Sequence, residues 1–367
     1  MLKDKSIAVV IPAYNEEKQI KNVIETIPDF VDFIIVINDK STDKTEKIVM
    51  GIIKSEKRDD YISKDTFVKN ANNNKNNKYN HAENILETIR SKEEAQYTPH
   101  KIVTKESSRI ILINHLVNSH IGAALASGYR WCRDHNIDCT AIMAGDGQMD
   151  PVELKNICIP IVEGEVDYVK ANRLKHRSAF FVIPKIRFFG NSILSLFTKI
   201  ASGYWRVSDT QTGFTAISLQ ALKAIRIHKI YKNYGCPNDI LVKLNIAYCT
   251  IKEIESKPIY NIGEKSKMNE LAVVPKISWL LFKLFWTRLY VKYLFRDFHP
   301  LFLLYHLAFF LLLIDIRFLY IALISLEPHT LISLPNQIAF IFLTITGFQS
   351  LFFAMWMDMM DNERLQK

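Results

Sequence analysis

Short unbroken apolar stretches alternate along the chain with segments whose apolar positions recur at helical spacing. Ile7-Ala-Val-Val-Ile-Pro12 has no polar position, which predicts a strand covered on both faces. In Glu16–Ile27 the apolar residues Ile20, Val23, Ile24 and Ile27 predict a helix stopped by Pro28. Phe33-Ile-Ile-Val-Ile37 predicts a second buried strand running into Asn38-Asp39. Strand, helix and strand within about 30 residues form a βαβ unit, whose ligand crevice lies at the carboxyl ends of its strands. The rhythm resumes with strands at Arg109–Ile113, Thr140–Met143 and Asp167–Lys170, and with helices at Gly122–Arg133 and from Val152. This alternation predicts an α/β fold with a mostly parallel sheet.

Two regions break the pattern. Residues 55–108 contain the Asn-rich run Asn70–Lys78 and mixed charges, and they read as a largely disordered insertion with a short helix near Glu83–Arg90. Towards the C-terminus, Leu301–Leu326 is apolar except for His306, Asp315 and Arg317, and Ile338–Met357 carries no charge. Either stretch can cross a hydrocarbon layer of about 30 Å at about 1.5 Å per helical residue. The short connection Glu327–Pro335 makes them a hairpin. Arg288, Lys292 and Arg296 before it and Arg364 and Lys367 after it place both ends in the cytosol by the positive-inside rule. Ile277–Phe295 mixes aromatic residues with a stripe of Arg288, Lys292 and Arg296. That pattern reads as an interfacial helix on anionic lipid, with a soluble core helix as the alternative. The expected organisation is a catalytic unit at 1–270, an amphipathic helix at 271–298 and a two-helix hairpin at 299–360.

Composition adds a charge asymmetry. The chain has 367 residues, is 49% hydrophobic and has a formal charge of +9. Between Lys170 and Pro300, about 22 Lys and Arg face about 7 Asp and Glu, so the basic charge is local. An anionic partner is implied: nucleic acid, nucleotide phosphates or an anionic membrane surface. The five cysteines form no Cys-x-x-Cys pair, which argues against a zinc site or disulfide framework and for a reducing compartment. The apolar run after Met1 is too short for a secretory signal, so the N-terminal portion is expected in the cytosol.

Candidate chemistry sits after the predicted strands. Pro12-Ala-Tyr-Asn-Glu-Glu17 follows the first, and Asp39 ends the second. Asp39 can accept hydrogen bonds from a base or ribose, or cap the next helix. Asp146 and Gln148, in a Gly-flanked loop, offer oxygen ligands for Mg²⁺ or Mn²⁺ on a diphosphate, while Asp150 before Pro151 suits a helix cap. Arg173 could hold a phosphate oxygen or a surface partner. Ser208-Asp-Thr-Gln-Thr-Gly-Phe214 is a compact polar loop, and Asn238-Asp239 opens an apolar helix.

In this order, the segments VVIPAYNEE, VINDKSTDKT, GAALASGY, MAGDGQMDP, ANR, SDTQTGF and NDILVKL resemble the family 2 inverting glycosyltransferases. The likeness is strongest to dolichyl- and polyprenyl-phosphate sugar transferases with a membrane C-terminus, and it covers roughly 200 residues from Ile7 to about Lys267. The resemblance implies a GT-A, Rossmann-like nucleotide-sugar domain. It assigns Pro12, Tyr14 and Glu16 to the nucleotide turn, Asp39 to the base and Arg173 to phosphate. It also implies Asp146 and Gln148 as metal ligands, Ser208, Asp209 and Gln211 as the acceptor-side loop, and Asp239 as the acidic position of the last motif.

Three positions depart from the family pattern. Ala144 replaces the first Asp of Asp-Ala-Asp-Gly-Gln and removes one carboxylate from the metal. Asn38 replaces the first Asp of Asp-Asp-Gly-Ser. Pro237 replaces a frequent acidic residue before Asn-Asp. The implied activity is sugar transfer from a nucleotide donor to a membrane lipid acceptor, a polyprenyl phosphate, on the cytoplasmic face and without nucleic acid. Such a phosphate is already ionised and needs positioning rather than a strong base. A hydroxyl acceptor would need Asp239 or Asp209 as base, and Ala144 leaves open a catalytically silent nucleotide-sugar binder.

Overall fold

A computed structural model describes residues 2–55, 81–104, 108–259, 270–324 and 333–367. The first half contains β1 (Ile7–Ala13), α1 (Ile20–Glu25), β2 (Phe33–Asn38), α2 (Thr45–Ser55), α3 (His81–Glu94), β3 (His100–Ile102), β4 (Ile110–His115), α4 (Ile121–Asp134) and β5 (Cys139–Ile142). The chain continues through α5 (Leu154–Val162), β6 (Tyr168–Asn172), α6 (Ala179–Val182), α7 (Lys185–Ser202), β7 (Thr215–Ser218), α8 (Leu219–Ala224), α9 (Cys236–Ile246) and β8 (Ile251–Glu255). The helices α10 (Glu270–Tyr290), α11 (Pro300–Ile324) and α12 (Leu334–Asn362) follow.

Eight strands form one sheet in the order β3-β4-β2-β1-β5-β7-β6-β8. The strands β4, β2, β1 and β5 are parallel, with Val10 opposite Ile35 and Ile142. The strand β7, which the apolar pattern does not predict, runs antiparallel to both β5 and β6. It therefore brings β6 into the direction of β5, and β8 lies parallel to β6. The carboxyl ends of β1, β2, β4, β5 and β6 and the entry into β7 consequently share one edge of the sheet.

The strands are apolar throughout because helices cover both faces. Ile7, Val9 and Ile11 pack with Ile20, Val23, Leu154 and Ile157 on one side. Ala8 and Val10 pack with Ala124, Tyr129 and Leu241 on the other. The small residues of Gly122-Ala-Ala-Leu-Ala-Ser-Gly128 let α4 approach β1 closely. A Cβ on Gly128 would stand 2.3 Å from Val10 Cγ1.

Part of the expected disordered insertion is ordered. Within 55–108, α3 and β3 are formed, β3 pairs antiparallel with β4, and Tyr97 is buried beneath the Arg130 guanidinium. A composition rich in Asn and Lys does not register these tertiary contacts. The Asn-rich run Asn70–Lys78 lies outside the described residues, as does most of the expected Glu327–Pro335 connection.

The helices α11 and α12 are about 37 and 43 Å long at ~1.5 Å per residue. Both are long and apolar enough to cross a membrane, and only 11% of the best apolar window of each is buried, unlike the core helices of a soluble fold. Asp315 lies within continuous α11, faces α12 and accepts a hydrogen bond from Thr344 Oγ1 at 2.7 Å, whereas Arg317 is exposed.

The expected basic stripe is split: Arg288 on α10 and Lys292 just beyond it turn inward, whereas Arg296 is exposed. Arg288 and Lys292 are buried, and Arg288 makes a bidentate ion pair with Asp358 of α12 at 2.7 and 2.8 Å. Burial would lower the Arg288 pKa, but the Asp358 carboxylate overrides it and the net is a rise. The helix period correctly puts these cations on one face. The acidic end of α12, some 70 residues later, turns that face inward. Trp279 and Phe282, stacked on each other, and Tyr290 are the exposed aromatic residues of α10.

Candidate active site

The site grows from the sheet edge. Beyond β1, the turn around Tyr14 is laced to the loop after β2. Asn15 adopts a positive φ of 55° and its Oδ1 accepts the Thr42 N–H at 2.8 Å. The Glu16 N–H donates to Thr45 Oγ1 at 2.9 Å and the Glu17 N–H to Asp43 Oδ2 at 3.1 Å. Pro12 ends the buried run, so Tyr14, 39% exposed, stands at the crevice with Glu16 beside it.

Asp39 is 3% exposed and its carboxylate is fully engaged. It accepts the Ser119 and His120 N–H groups at 2.9 and 2.8 Å, and His115 Nδ1 lies 2.7 Å away. His115 Nε2 in turn lies 2.9 Å from Ser127 Oγ on α4. Asp39 thus fixes the loop between β4 and α4. Sequence reasoning missed His115 and Ser127, although His115 closes a predicted strand at the same edge.

After β5, Asp146 Oδ1 accepts the Gln148 N–H at 3.0 Å, and Gly147 takes a φ of 75° that closes this turn. Asp150 caps the next turn through the Val152 N–H at 2.9 Å, as its place before Pro151 implies. Among the described residues no group of three or more His, Cys, Asp or Glu could hold a metal by itself. One carboxylate beside an amide oxygen fits a hard cation that takes its other ligands from phosphate and water, which is the usual Mg²⁺ arrangement.

The acceptor-side loop 208–214 meets this turn: a Cβ on Gly213 would touch Met149 Cε at 3.5 Å. The loop is held from beneath by a buried charge network. Asp209, fully buried, accepts Arg173 Nε at 2.8 Å, the Arg173 N–H at 3.1 Å and the Thr212 N–H at 3.2 Å. Burial would raise the Asp209 pKa, but Arg173 overrides it and the carboxyl stays below its ordinary value of 3.8. Lys170, fully buried on β6, donates to the Thr212 carbonyl at 2.6 Å. Burial pulls its ammonium down to about 8 despite the nearby Asp209 and Glu253. Glu253 on β8 accepts the Ser208 and Asp209 N–H groups at 2.8 and 3.1 Å and Asn172 Nδ2 at 2.6 Å. Lys170, Asn172 and Glu253 were not singled out in the sequence, because an alternating strand such as Ile251-Lys-Glu-Ile-Glu255 carries no mark of buried chemistry.

At the start of α9, Gln211 Nε2 reaches Asn238 Oδ1 at 3.3 Å, joining the acceptor-side loop to the last motif. Asn238 Nδ2 is buried without a partner. Asp239, 2% exposed, accepts the Tyr231 N–H at 2.8 Å and pairs with Lys243. Pro12, near the end of β1, and Tyr14, Glu16, Asp39, Asp146, Gln148, Arg173, Ser208 and Gln211, in the loops, therefore belong to one sheet edge. The carboxylates of Asp209 and Asp239 point into internal bonds.

Residues 8–82 match the model of glycosyl transferase family 2. A UDP-N-acetylglucosamine–dolichyl-phosphate N-acetylglucosaminyltransferase of Methanococcus voltae is 28% identical over 282 residues, covering 77% of this chain and 96% of that protein. An uncharacterized protein of Methanocaldococcus jannaschii is 22% identical over 285 residues, covering 77% and 93%. Glucosyl-3-phosphoglycerate synthase from Mycobacterium tuberculosis, solved with uridine diphosphate, superposes with a TM-score of 0.46 at 17% identity over 78% of this chain and 80% of that one. The match over residues 8–82 and the alignment to the Methanococcus voltae transferase over most of its length identify this chain as a glycosyltransferase, similar to those of family 2.

Proposed function

We propose that this glycosyltransferase moves a sugar from a nucleotide-sugar to a polyprenyl phosphate at the membrane surface, with inversion at the anomeric carbon. The observation that carries the reading is the state of the two candidate bases. Asp209 is bound by Arg173 and the Thr212 N–H, and Asp239 by Lys243 and the Tyr231 N–H. An acceptor hydroxyl would need one of them to take its proton, whereas a phosphate arrives ionised and needs only placement. Two apolar helices leaving the same domain suit a lipid-borne acceptor, and the acceptor in the Methanococcus voltae relative's name is a dolichyl phosphate.

In this reading Tyr14 and Glu16 border the nucleotide and Arg173 faces the phosphates. Asp39 acts on the base side through the loop it fixes. Asp146, with Gln148, would hold a Mg²⁺ or Mn²⁺ that neutralises charge on the departing diphosphate. Ser208 and Gln211 shape the acceptor side. The hairpin α11–α12 crosses the membrane twice, with the catalytic domain on the cytoplasmic face. The return of Asn362 and Gln366 to the domain supports both chain ends lying on one side.

The test is incubation of the purified full chain with a panel of nucleotide sugars, UDP-N-acetylglucosamine among them, with Mn²⁺ and polyprenyl phosphate. A glycolipid product detected by mass spectrometry is expected. Turnover only onto sugar or protein hydroxyls would overturn the acceptor assignment. Nucleotide binding without turnover onto any acceptor would favour the silent binder that Ala144 suggests.

A further inference from the structure

The last ten residues do not trail from the membrane helix. They return to the catalytic domain and grip the stem of the acceptor-side loop. Arg288, already paired with Asp358, also donates Nε to the Ala201 carbonyl at 2.9 Å and Nη2 to the Ile200 carbonyl at 3.0 Å. It thereby closes the carboxyl end of α7. The chain turns there at Gly203, φ 76°, where a Cβ would stand 2.5 Å from Arg288 Nη1, so only glycine admits the guanidinium. Trp205 Nε1 donates to Asp358 Oδ2 at 3.3 Å, and the Arg206 N–H donates to Gln366 Oε1 at 2.6 Å. Two residues later the loop that carries Asp209 and Gln211 begins. The tail itself is tied to the sheet: Gln366 bridges Ile251 in parallel, the Lys367 N–H donates to the Ile251 carbonyl at 3.0 Å, and Leu365 is buried in the core with Tyr204 and Ile251.

We propose that Asp358 and Gln366 are positioning residues for the transfer reaction. Neither touches substrate. They fix residues 200–206 to the end of the second membrane helix, and so set where the 208–214 loop stands relative to the bilayer. An acceptor phosphate carried by a membrane lipid sits at a height set by the bilayer, so a loop held by the membrane helix meets it in register. A nucleotide-sugar arriving from water is bound by loops on β1, β2 and β5 and by Arg173 at the end of β6, none of which the clamp touches directly. The inference rests on the proposed lipid-phosphate acceptor, and it separates the two substrates.

The experiment compares the full-length protein with Gln366→Leu, Gln366→Glu and Asp358→Asn in lipid nanodiscs. Gln366→Leu removes the acceptor of the Arg206 N–H, while Gln366→Glu keeps one. The KM for polyprenyl phosphate is expected to rise about 10–100-fold in Gln366→Leu and in Asp358→Asn, and to be restored in Gln366→Glu. The donor KM and UDP affinity should stay within about twofold, which also reports a folded nucleotide site. Amide hydrogen exchange supplies a readout independent of the acceptor: protection over 203–214 should fall in Gln366→Leu while 7–38 is unchanged. Equal rises in donor and acceptor KM, or unchanged exchange at 203–214, would overturn the clamp. Lost protection in a protein whose wild type makes no glycolipid would overturn the acceptor reading and leave the clamp standing.

Discussion

Replacing Lys170 by methionine probes the buried network under the acceptor-side loop through its charge alone. The ammonium is fully buried, bonded to the Thr212 carbonyl and flanked by Asp209 and Glu253. Its pKa falls from 10.5 to about 8, burial being the largest cause. The unfolded chain keeps this proton up to about pH 10.5, whereas the folded protein releases it near pH 8. Between those values the unfolded state holds more protons, so folding stability rises with pH. A fall from 10.5 to about 8, at ~1.36 kcal/mol per pH unit, gives a gain of about 3 kcal/mol across the window, reached above pH 10.5 and absent below pH 8. A methionine side chain has no proton to lose, and the other titrating groups cancel in the difference between the two proteins. Thermal unfolding in detergent at steps from pH 7 to 10.5 measures that difference. At ~2–4 °C per kcal/mol, the melting temperature of the wild type relative to Lys170→Met should climb by roughly 5–10 °C. A difference that stays flat over this range would refute the burial argument. The variant should also transfer sugar more slowly at neutral pH, because the Thr212 carbonyl loses its donor and the loop its tie to β6.

Further expectations follow from individual contacts. Asp146→Asn should lower metal-dependent transfer by at least about 100-fold, read as turnover with titrated Mn²⁺, and full activity would exclude Asp146 as the ligand. Asp239→Asn keeps an oxygen for the Tyr231 N–H and should retain activity within about tenfold, whereas a loss of ~10³ or more would make Asp239 a base after all. Gly122→Ala would put a Cβ 1.9 Å from the Tyr231 carbonyl oxygen, a backbone atom that cannot step aside. A loss of about 1–3 kcal/mol is expected in chemical denaturation. All five cysteines are buried, and burial raises Cys132, Cys236 and Cys249 to about 12. Maleimide at neutral pH should therefore label the native protein negligibly and the unfolded chain fully; rapid native labelling would contradict the packing.

Much of the site was legible because short-range rules govern it. A fully apolar strand followed by a polar turn marks a sheet edge, and the loops after β1, β2, β5 and β6 that carry the candidate residues were expected there. Asp150 before Pro151 reads directly as a cap, and the structure has it so. What the residues do to one another was less legible. Asp209 and Asp239 read equally well as bases or as structural carboxylates until Arg173 and Lys243 were seen on them. Glu253 and Lys170 carry no local signal, because their role depends on β6, β7 and β8 lying side by side. In the Asn-rich neighbourhood the short helix expected near Glu83–Arg90 is present as α3, whereas β3 was hidden because only its pairing with β4 forms it.

The sequence by itself determined the α/β rhythm, the polar loops at the strand ends and two helices long enough for a bilayer, since each depends on spacing within a few residues. The tertiary structure alone decided where the cations of α10 point. Arg288 and Lys292 form a basic stripe that suits anionic lipid equally well on paper. Their partners Asp358 and Asp361 lie 70 and 69 residues away, and only folding brings the end of the last helix against them. Charges of this kind are costly to bury alone and are tolerated once paired. Residues 358–366 are therefore tied into the stem of the 208–214 loop.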